Sequence, residues 1–347
     1  MLTDIFARRY DQPRMWETFY EEPRRLLVQG SQLLNDLCPY YVDGKENVLG
    51  VEFWTKMHEL LARELGLNEL SPQYWGYYDK LNQWQSGRYT TFKMCETWML
   101  QQFDGTISAD RFIKERLSLV EIGFRQREKA VVEHNGKLSQ YVAEAEIFDQ
   151  TYGAKRSGLV LPGKRTDGVR AANATMNANF QSAVTELNAR FRQAGCPLHY
   201  HNGFIQISED QTVAQEIETP FWKLVALPKW QNVDHDMKEA IDLRDTGGNN
   251  PALYAARSLE STIKIISGEK QLTTGKEKGA ANYIDNLMGA KLIEVWEMEA
   301  LKHFFTKVRN PFGHGPGAAP MPSLTEHQTN WAIENSMIWI KSLIRRM

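Results

Sequence analysis

Three polar residues in the last forty positions of the sequence have side chains suited to proton transfer and to phosphate binding. Arg309, Asn310 and His314 lie in the segment Arg-Asn-Pro-Phe-Gly-His. A histidine can act as a general base near neutral pH and take the proton of a ribose 2′-hydroxyl. An arginine is a planar, fixed cation that matches two phosphate oxygens and stabilises the charge that builds up in the transition state. We therefore predict His314 as the base and Arg309 as the phosphate-binding cation, with Asn310 orienting either group.

The backbone around these residues is predicted to form a loop. Pro311 disfavours helical backbone at Asn310, and three glycines between positions 313 and 317 let the chain approach a bulky ligand closely. A purely structural interpretation is also open. Arg309 could cap the last carbonyl groups of its helix, and His314 could hydrogen-bond within a glycine-rich turn.

The elements that must position this segment are helices. A polar helix is predicted across residues 234–244, and three patterned helices follow over residues 253–266, 283–287 and 292–308. A last helix is expected to begin at a capping box of Ser323 and Glu326. Apolar residues spaced by four, three and four positions form its predicted core face: Ile333, Met337, Ile340 and Ile344. Together these patterns predict a bundle of four or more helices.

Helical patterns also dominate the first part of the chain, so the predicted fold class is mainly α. Residues 1–152 are expected to form a helical lobe without strands. One of its helices should end at Gly66, and the segment 110–150 is also expected to be helical.

The middle of the chain, residues 153–229, is predicted to be a mixed segment. Its composition begins as a basic linker, and a helix is expected over about 173–193. The stretch 198–207 is predicted to be a β-hairpin, because Asn202-Gly203 is a favoured two-residue turn.

The residues from Arg309 to His314 resemble the R-x(4-6)-H motif of HEPN ribonucleases, since they follow a long helix and precede a capped one. Residues 255–264 resemble the first long helix of that family. Residues 4–10, and residues 186–191 with the hairpin, look like AbiJ-like N-terminal and middle regions. The resemblance therefore implies an AbiJ-like domain over 1–152, an intermediate segment over 153–229 and a HEPN-type bundle over 230–347.

This resemblance implies a metal-independent endoribonuclease without a cofactor, acting as a toxin in antiphage abortive infection. Its products would carry a 2′,3′-cyclic phosphate and a 5′-hydroxyl. In the HEPN family two subunits join their sites across a two-fold axis, so a homodimer is implied. RNA would be the substrate, and an antitoxin or a phage-derived trigger would be a further partner. The alternative is a catalytically inactive HEPN module that binds a nucleotide or a protein.

Four further residues are candidates for supporting roles. Glu260 and Arg257 lie on the helix expected to pack beside the motif, either as an ion pair or as groups that support catalysis. Lys302 and Lys307 precede the motif on its own helix and are predicted to bind RNA through its phosphates.

Two other motifs are weaker. Residues 158–164 match the start of a phosphate-binding loop. However, Arg165 stands where the magnesium-binding hydroxyl is needed, and the following Thr-Asp-Gly is not expected to start a helix. A solvated basic loop is therefore predicted. Cys196, His199 and His201 could hold zinc, since residues two apart on a strand share a face. No fourth ligand is identifiable, so packing or surface roles are favoured and no metal is predicted.

Composition and charge favour an ordered cytoplasmic protein. The 347 residues are 42% hydrophobic, carry a net charge of −2 and include 3 scattered cysteines. No apolar signal segment opens the sequence, and no apolar run approaches the ~18 residues of a membrane span. Residues 251–347 hold 12 basic and 9 acidic side chains, an excess of the sign that a polyanion would require.

Overall fold

Helices form most of the chain in a computed structural model, which confirms the mainly α prediction. The structure describes residues 5–12, 14–152, 164–207, 213–313 and 322–347. The chain divides into two compact units, Met1–Ile205 and Gln206–Met347. Within the described ranges, no helix is both long enough and apolar enough to span a membrane.

Six helices and three hairpins are described in residues 5–207. The helices are α1 (Phe6–Arg9), α2 (Glu21–Leu37), α3 (Val48–Leu65), α4 (Thr91–Leu100), α5 (Ala109–Tyr152) and α6 (Arg165–Gln193). The strands, each antiparallel to its neighbour, are β1 (Tyr41–Val42), β2 (Lys45–Glu46), β3 (Tyr74–Tyr78), β4 (Trp84–Arg88), β5 (Leu198–His201) and β6 (Phe204–Ile207).

Helix α5 is the centre of the first unit. From Phe112 to Phe124 every residue is buried, as expected for a helix packed on all sides. Helices α1, α2, α3 and α6 all pack against it. The buried apolar residues of this stretch include Leu117, Val120 and Phe124.

Buried charges on α5 join it to the hairpin β5–β6. The Glu121 carboxylate accepts hydrogen bonds from Arg9 at 2.6 and 3.1 Å, from Arg125 at 2.6 Å and from the backbone N–H of Ile205 at 2.8 Å. Both guanidinium groups also lie over the ring of Phe204, at 4.7 and 4.4 Å from its centre. Each of the two arginines therefore makes a charge-assisted hydrogen bond and a cation–π contact.

Two local predictions in this unit are confirmed. Helix α3 ends at Gly66, whose φ of +71° is left-handed and whose N–H bonds back to the last turn. The hairpin β5–β6 turns at Asn202 and Gly203, which both have positive φ, as a two-residue hairpin turn of this kind requires.

The expected absence of strands from residues 1–152 is wrong. The hairpin β1–β2 turns at Asp43-Gly44, with φ of +51° and +74°. The hairpin β3–β4 turns through a loop in which the Asp79 carboxylate accepts hydrogen bonds from the N–H groups of Leu81 and Gln83. Alternation of polar and apolar residues did not reveal β3 because aromatic residues lie on both of its faces.

The prediction that Thr166-Asp-Gly does not start a helix is also wrong. Helix α6 begins at Arg165, and the Asp149 carboxylate of α5 accepts hydrogen bonds from the N–H groups of Arg165 and Thr166. These bonds lower the pKa of Asp149. The cap comes from a residue 16 positions earlier in the sequence, so no local pattern could reveal it. Residues 158–163 of the phosphate-loop motif lie outside the described residues.

The second unit is a helical bundle around one long central helix. Its described elements are a π-helical turn (Ala214–Glu218), α7 (Thr219–Val225), a 3₁₀ turn (Pro228–Trp230), α8 (Gln231–Asp245), α9 (Pro251–Glu269), α10 (Ala280–Gly289), α11 (Val295–Phe304), a π-helical turn (Phe305–Arg309), α12 (Asn310–Gly313) and α13 (Glu326–Ile344). Helix α9 packs against α8, α10 and α13, and the core lies between them.

Helix α13 follows the predicted core face but not the predicted cap. Ile333, Met337 and Ile340 are buried, as expected, and Ile344 is partly buried. The capping box is formed by Thr325 and Gln328 rather than by Ser323 and Glu326. Both pairs have the required spacing, and the helix starts two positions later than expected because Thr325 is the N-cap.

Candidate active site

The helix that carries the candidate catalytic residues is fixed at its start by a buried carboxylate. Glu297 of α11 closes a capping box with Glu294 and also accepts two hydrogen bonds from Arg346, at 2.6 and 3.0 Å. The hydrogen bonds from Arg346 lower the pKa of Glu297, in spite of burial, so the pair is charged at neutral pH. The start of α11 is thereby tied to the end of α13.

Arg309 is the last residue of a π-helical turn that interrupts this helix. The turn Phe305–Arg309 follows α11 directly, and Phe305 and Val308 are buried in the core. A π turn is wider than an α turn and is often found at functional sites. It places the Arg309 side chain beside the central helix α9.

The loop predicted at Asn310 is wrong. Asn310 has helical φ and ψ of −64° and −38°, and α12 continues the helix through Pro311. A proline within an α-helix clashes with the carbonyl four residues earlier and cannot donate a hydrogen bond. The wider π turn just before Asn310 changes that geometry, which explains why the backbone stays helical across this proline.

Arg309 is held by an acidic residue of the central helix. Its Nη2 lies 3.3 Å from Oε2 of Glu260, whose other oxygen lies 2.8 Å from Nζ of Lys264. Glu260 is 9% exposed, so this pairing takes place at the edge of the core. Within the described ranges the Nε of Arg309 is buried without a hydrogen-bond partner. The side chain is therefore only partly satisfied and retains a donor for a further acceptor.

These groups line an open cavity of about 450 Å³. Its wall contains four cationic side chains, Lys264, Lys278, Lys302 and Arg309, and two carboxylates, Glu260 and Glu277. Asn310, Tyr283 and Thr306 also line it. The lining residues have an excess of two positive charges, and an excess of one remains when Asp285, the ion-pair partner of Lys302, is counted. This excess suits an anionic ligand, and the volume suits a nucleotide-sized group.

The loop that closes one side of this cavity is stabilised by Glu277. Its Oε1 accepts hydrogen bonds from the N–H and the hydroxyl of Thr274 and from the side chain of Asn286, at 2.7 to 2.9 Å. These hydrogen bonds lower the pKa of Glu277 to about 2, and the bond from the backbone N–H of Thr274 has the largest effect. The anchored loop presents Lys278 at the cavity wall.

The cavity brings together four of the predicted site residues and leaves two others apart. Arg309, Asn310, Glu260 and Lys302 line it, and Lys302 is ion-paired with Asp285. Arg257 and Lys307 are not among its lining residues. Glu260 and Arg257 do not pair with each other: Arg257 lies 3.3 Å from Asp236 and over the ring of Tyr254. His314 lies outside the described residues, so its catalytic role stays a prediction.

Three charged residues that line the cavity were not predicted as site residues: Lys264, Glu277 and Lys278. The Glu260–Lys264 pair had a detectable signal, because oppositely charged residues four apart on a helix are neighbours. Glu277 and Lys278 lie between helices, where no periodic pattern exists to place them.

The possible zinc ligands are packed in the first unit. Cys196 is buried, and the rings of His199 and His201 stack with centres 6.0 Å apart. Burial, and then the charge of Arg192, lower the pKa of His199 to about 4, so this imidazole is neutral at pH 7. Among the described residues, no group of three or more His, Cys, Asp or Glu is arranged to hold a metal ion.

Comparison with known proteins connects the first part of the chain to abortive infection. The family model described as AbiJ N-terminal domain 4 matches residues 4–223. No curated protein and no solved structure matches the chain. The match confirms the AbiJ-like, abortive-infection-related N-terminal region and ends before α8, so it does not include Arg309. Because it covers more than half of the sequence, the chain belongs to the AbiJ N-terminal domain 4 family.

Proposed function

We propose that this protein is a cytoplasmic endoribonuclease of abortive infection, whose second unit is a HEPN-type domain that cleaves RNA with Arg309 and His314. The observation that carries this proposal is the position of Arg309 and Asn310 at a cavity with an excess of positive charge. An arginine fixed there by Glu260 suits a phosphodiester better than a neutral substrate. The family of the N-terminal region agrees with such a role.

The proposed reaction is a transesterification within the RNA backbone. His314 takes the proton of a ribose 2′-hydroxyl, and the freed oxygen attacks the adjacent phosphorus. The bond from phosphorus to the 5′-oxygen breaks, and that oxygen takes up a proton. The products are a 2′,3′-cyclic phosphate and a 5′-hydroxyl. Arg309 stabilises the charge on the phosphorane, and Asn310 orients the side chain of Arg309 or of His314.

Glu260 has a positioning role in this proposal. Its ion pair keeps the guanidinium of Arg309 at the cavity wall in the absence of substrate. A phosphate is a stronger partner for a guanidinium than a single carboxylate contact at 3.3 Å, so binding of RNA would displace or share this contact.

The same ion pair favours one alternative function. If Glu260 permanently neutralises Arg309, the second unit is a catalytically inactive HEPN module that binds a nucleotide or a protein. Purified protein incubated with total RNA in excess EDTA separates the two functions. Cleavage that persists in EDTA and leaves cyclic phosphate ends supports the ribonuclease, whereas intact RNA at all protein concentrations supports the binding module.

We further expect the active enzyme to be a homodimer with a composite site. One subunit supplies a single general base and a single Arg309 to a substrate with several phosphate charges. Two subunits related by a two-fold axis would supply two of each to one cleft. An excess of the inactive Arg309→Ala, His314→Ala double variant should then suppress wild-type activity beyond simple dilution. Subunit exchange is verified by mass photometry of size-tagged chains.

A proportional loss of activity under demonstrated exchange would contradict the composite site. Full activity of a protein that light scattering shows to be monomeric at the assay concentration would also contradict it. Neither result would remove the ribonuclease proposal itself, which depends on cleavage alone.

A further inference from the structure

The hairpin β3–β4 in the first unit exposes an unusual number of aromatic rings. Its register pairs Tyr74 with Arg88, Gly76 with Ser86, and Tyr78 with Trp84. Paired residues of antiparallel strands point to the same face of a hairpin. These six residues therefore form one face, which we call the Trp84 face.

The indole of Trp84 lies across the hairpin against Gly76. A Cβ atom added at Gly76 would be only 2.2 Å from Cζ2 of Trp84, so no larger residue fits under this ring. The ring of Tyr78 lies beside it, with centres 5.0 Å apart and planes at 64°. Trp84 is nevertheless 58% exposed, and Tyr74 and Tyr78 are 69% and 65% exposed. The glycine thus seats an indole on the sheet while much of the ring surface faces solvent.

The opposite face of the hairpin is built alike, but its tryptophan is less exposed than Trp84. There the indole of Trp75 lies against Gly87, and a Cβ atom added at Gly87 would be 2.6 Å from that ring. The same indole stacks on the ring of Tyr77, with centres 5.8 Å apart. Trp75 is only partly exposed. A glycine-to-alanine substitution can therefore disturb one face at a time, at Gly76 for Trp84 and at Gly87 for Trp75.

The charges of the hairpin are weakly positive. Arg88 lies on the Trp84 face and Lys80 in the exposed turn. The one carboxylate of the turn, Asp79, accepts hydrogen bonds from the N–H of Gln83, the side chain of Gln85 and the N–H of Leu81, and these bonds, the one from Gln83 most of all, lower its pKa. Exposed rings next to a cation are the features with which proteins hold unpaired bases and their phosphates.

We propose that the Trp84 face binds single-stranded RNA, with one or two unpaired bases stacked on Trp84, Tyr78 and Tyr74 and a phosphate on Arg88. Stacking on aromatic side chains recognises any unpaired base, because every base has a π face. The choice of RNA over DNA rests on the proposed ribonuclease function. The surface itself shares no residue with the cavity around Arg309, so binding here and cleavage there can fail independently.

The test measures RNA binding without cleavage. Fluorescence anisotropy of a labelled 12-nucleotide single-stranded RNA is recorded in EDTA with Arg309→Ala protein as the common background. Loss of one stacked base costs ~1–3 kcal/mol, so Trp84→Ala should weaken binding by about 5- to 150-fold. The exposed Tyr41 of the other hairpin supplies a matched control, and Tyr41→Ala should leave the affinity unchanged.

The two glycines give the most specific comparison. Gly76→Ala should displace Trp84 and weaken binding nearly as much as Trp84→Ala, whereas Gly87→Ala disturbs only Trp75 and should not. Circular dichroism and thermal unfolding of both variants report whether the unit stays folded. The proposal is overturned if the Arg309→Ala protein does not bind the RNA, if Trp84→Ala binds normally, or if both glycine variants lose binding equally. DNA of the same sequence bound as tightly would overturn the choice of RNA.

Discussion

RNA cleavage by a His314→Ala variant is expected to be ~10²-fold to 10⁴-fold slower than cleavage by the wild type, because the reaction loses its general base. The rate is measured with purified protein in EDTA on a labelled RNA at saturating concentration. Dimerisation and thermal stability should be unchanged. In the sequence His314 stands between two glycines, Gly313 and Gly315, and is not part of an apolar pattern that would face a core.

His303→Ala is the matched control for this variant. His303 is an exposed histidine of α11 that does not line the cavity, so its loss should leave the cleavage rate unchanged. Normal cleavage by the His314→Ala variant would remove the assignment of the base. An equal loss in both variants would show that the effect comes from the stability of the helix and not from catalysis.

The second large effect is expected at Glu121. Glu121→Gln removes the negative charge that Arg9 and Arg125 share inside the first unit. Removing one member of a buried ionic group leaves charge without compensation and costs about 3–5 kcal/mol of unfolding free energy. Urea unfolding followed by circular dichroism and tryptophan fluorescence would measure this loss as a lower midpoint for the transition of the first unit.

A control with the same chemistry lies on the surface of α2. Glu21 pairs with Arg25 at 2.6 Å with the same spacing of four residues, but both side chains are exposed. Such surface pairs contribute little to stability, so Glu21→Gln should lower the midpoint far less. A similar small change in both variants would contradict a stabilising role for the buried network.

The same network predicts a pH dependence. Burial by itself raises the pKa of Glu121, but the charges of Arg9 and Arg125 and the hydrogen bonds outweigh it and hold the pKa below its ordinary value. A lowered pKa in the folded state stabilises the fold above the ordinary carboxyl range, and this contribution is lost as the pH falls through the folded-state pKa. The stability difference between wild type and Glu121→Gln should therefore shrink in acid.

Local patterns predicted the parts of the fold that local interactions determine. The end of α3 at Gly66 and the turn at Asn202-Gly203 follow from residues that tolerate positive φ. The core stripe of α13 follows from a helical period that one buried face imposes. The start of α6 depends instead on Asp149 of another helix, and such a contact leaves no trace in the neighbouring sequence.

The candidate site was also predictable only in part. Arg309, Asn310 and Glu260 were predicted from residue type and motif, and all three line the cavity. The π turn before Asn310 was not predicted, because one additional residue in a helical turn does not change a short apolar pattern enough to be detected. Arg257 was associated with Glu260 because three positions separate them on α9, yet it reaches Asp236 of the preceding helix.

The contact between Glu121 and the hairpin β5–β6 also bears on how the chain folds during synthesis. The hydrogen bond from Ile205 joins residues 84 positions apart, and a ribosome adding 5–20 residues per second needs about 4–17 s to make that stretch. Throughout this interval the nascent α5 exists without the hairpin that completes its buried charges. The first unit can close only once residue 205 has emerged, and Arg309 is translated after that point. The vectorial order of synthesis thus delivers the candidate catalytic arginine to a chain whose N-terminal unit can already fold.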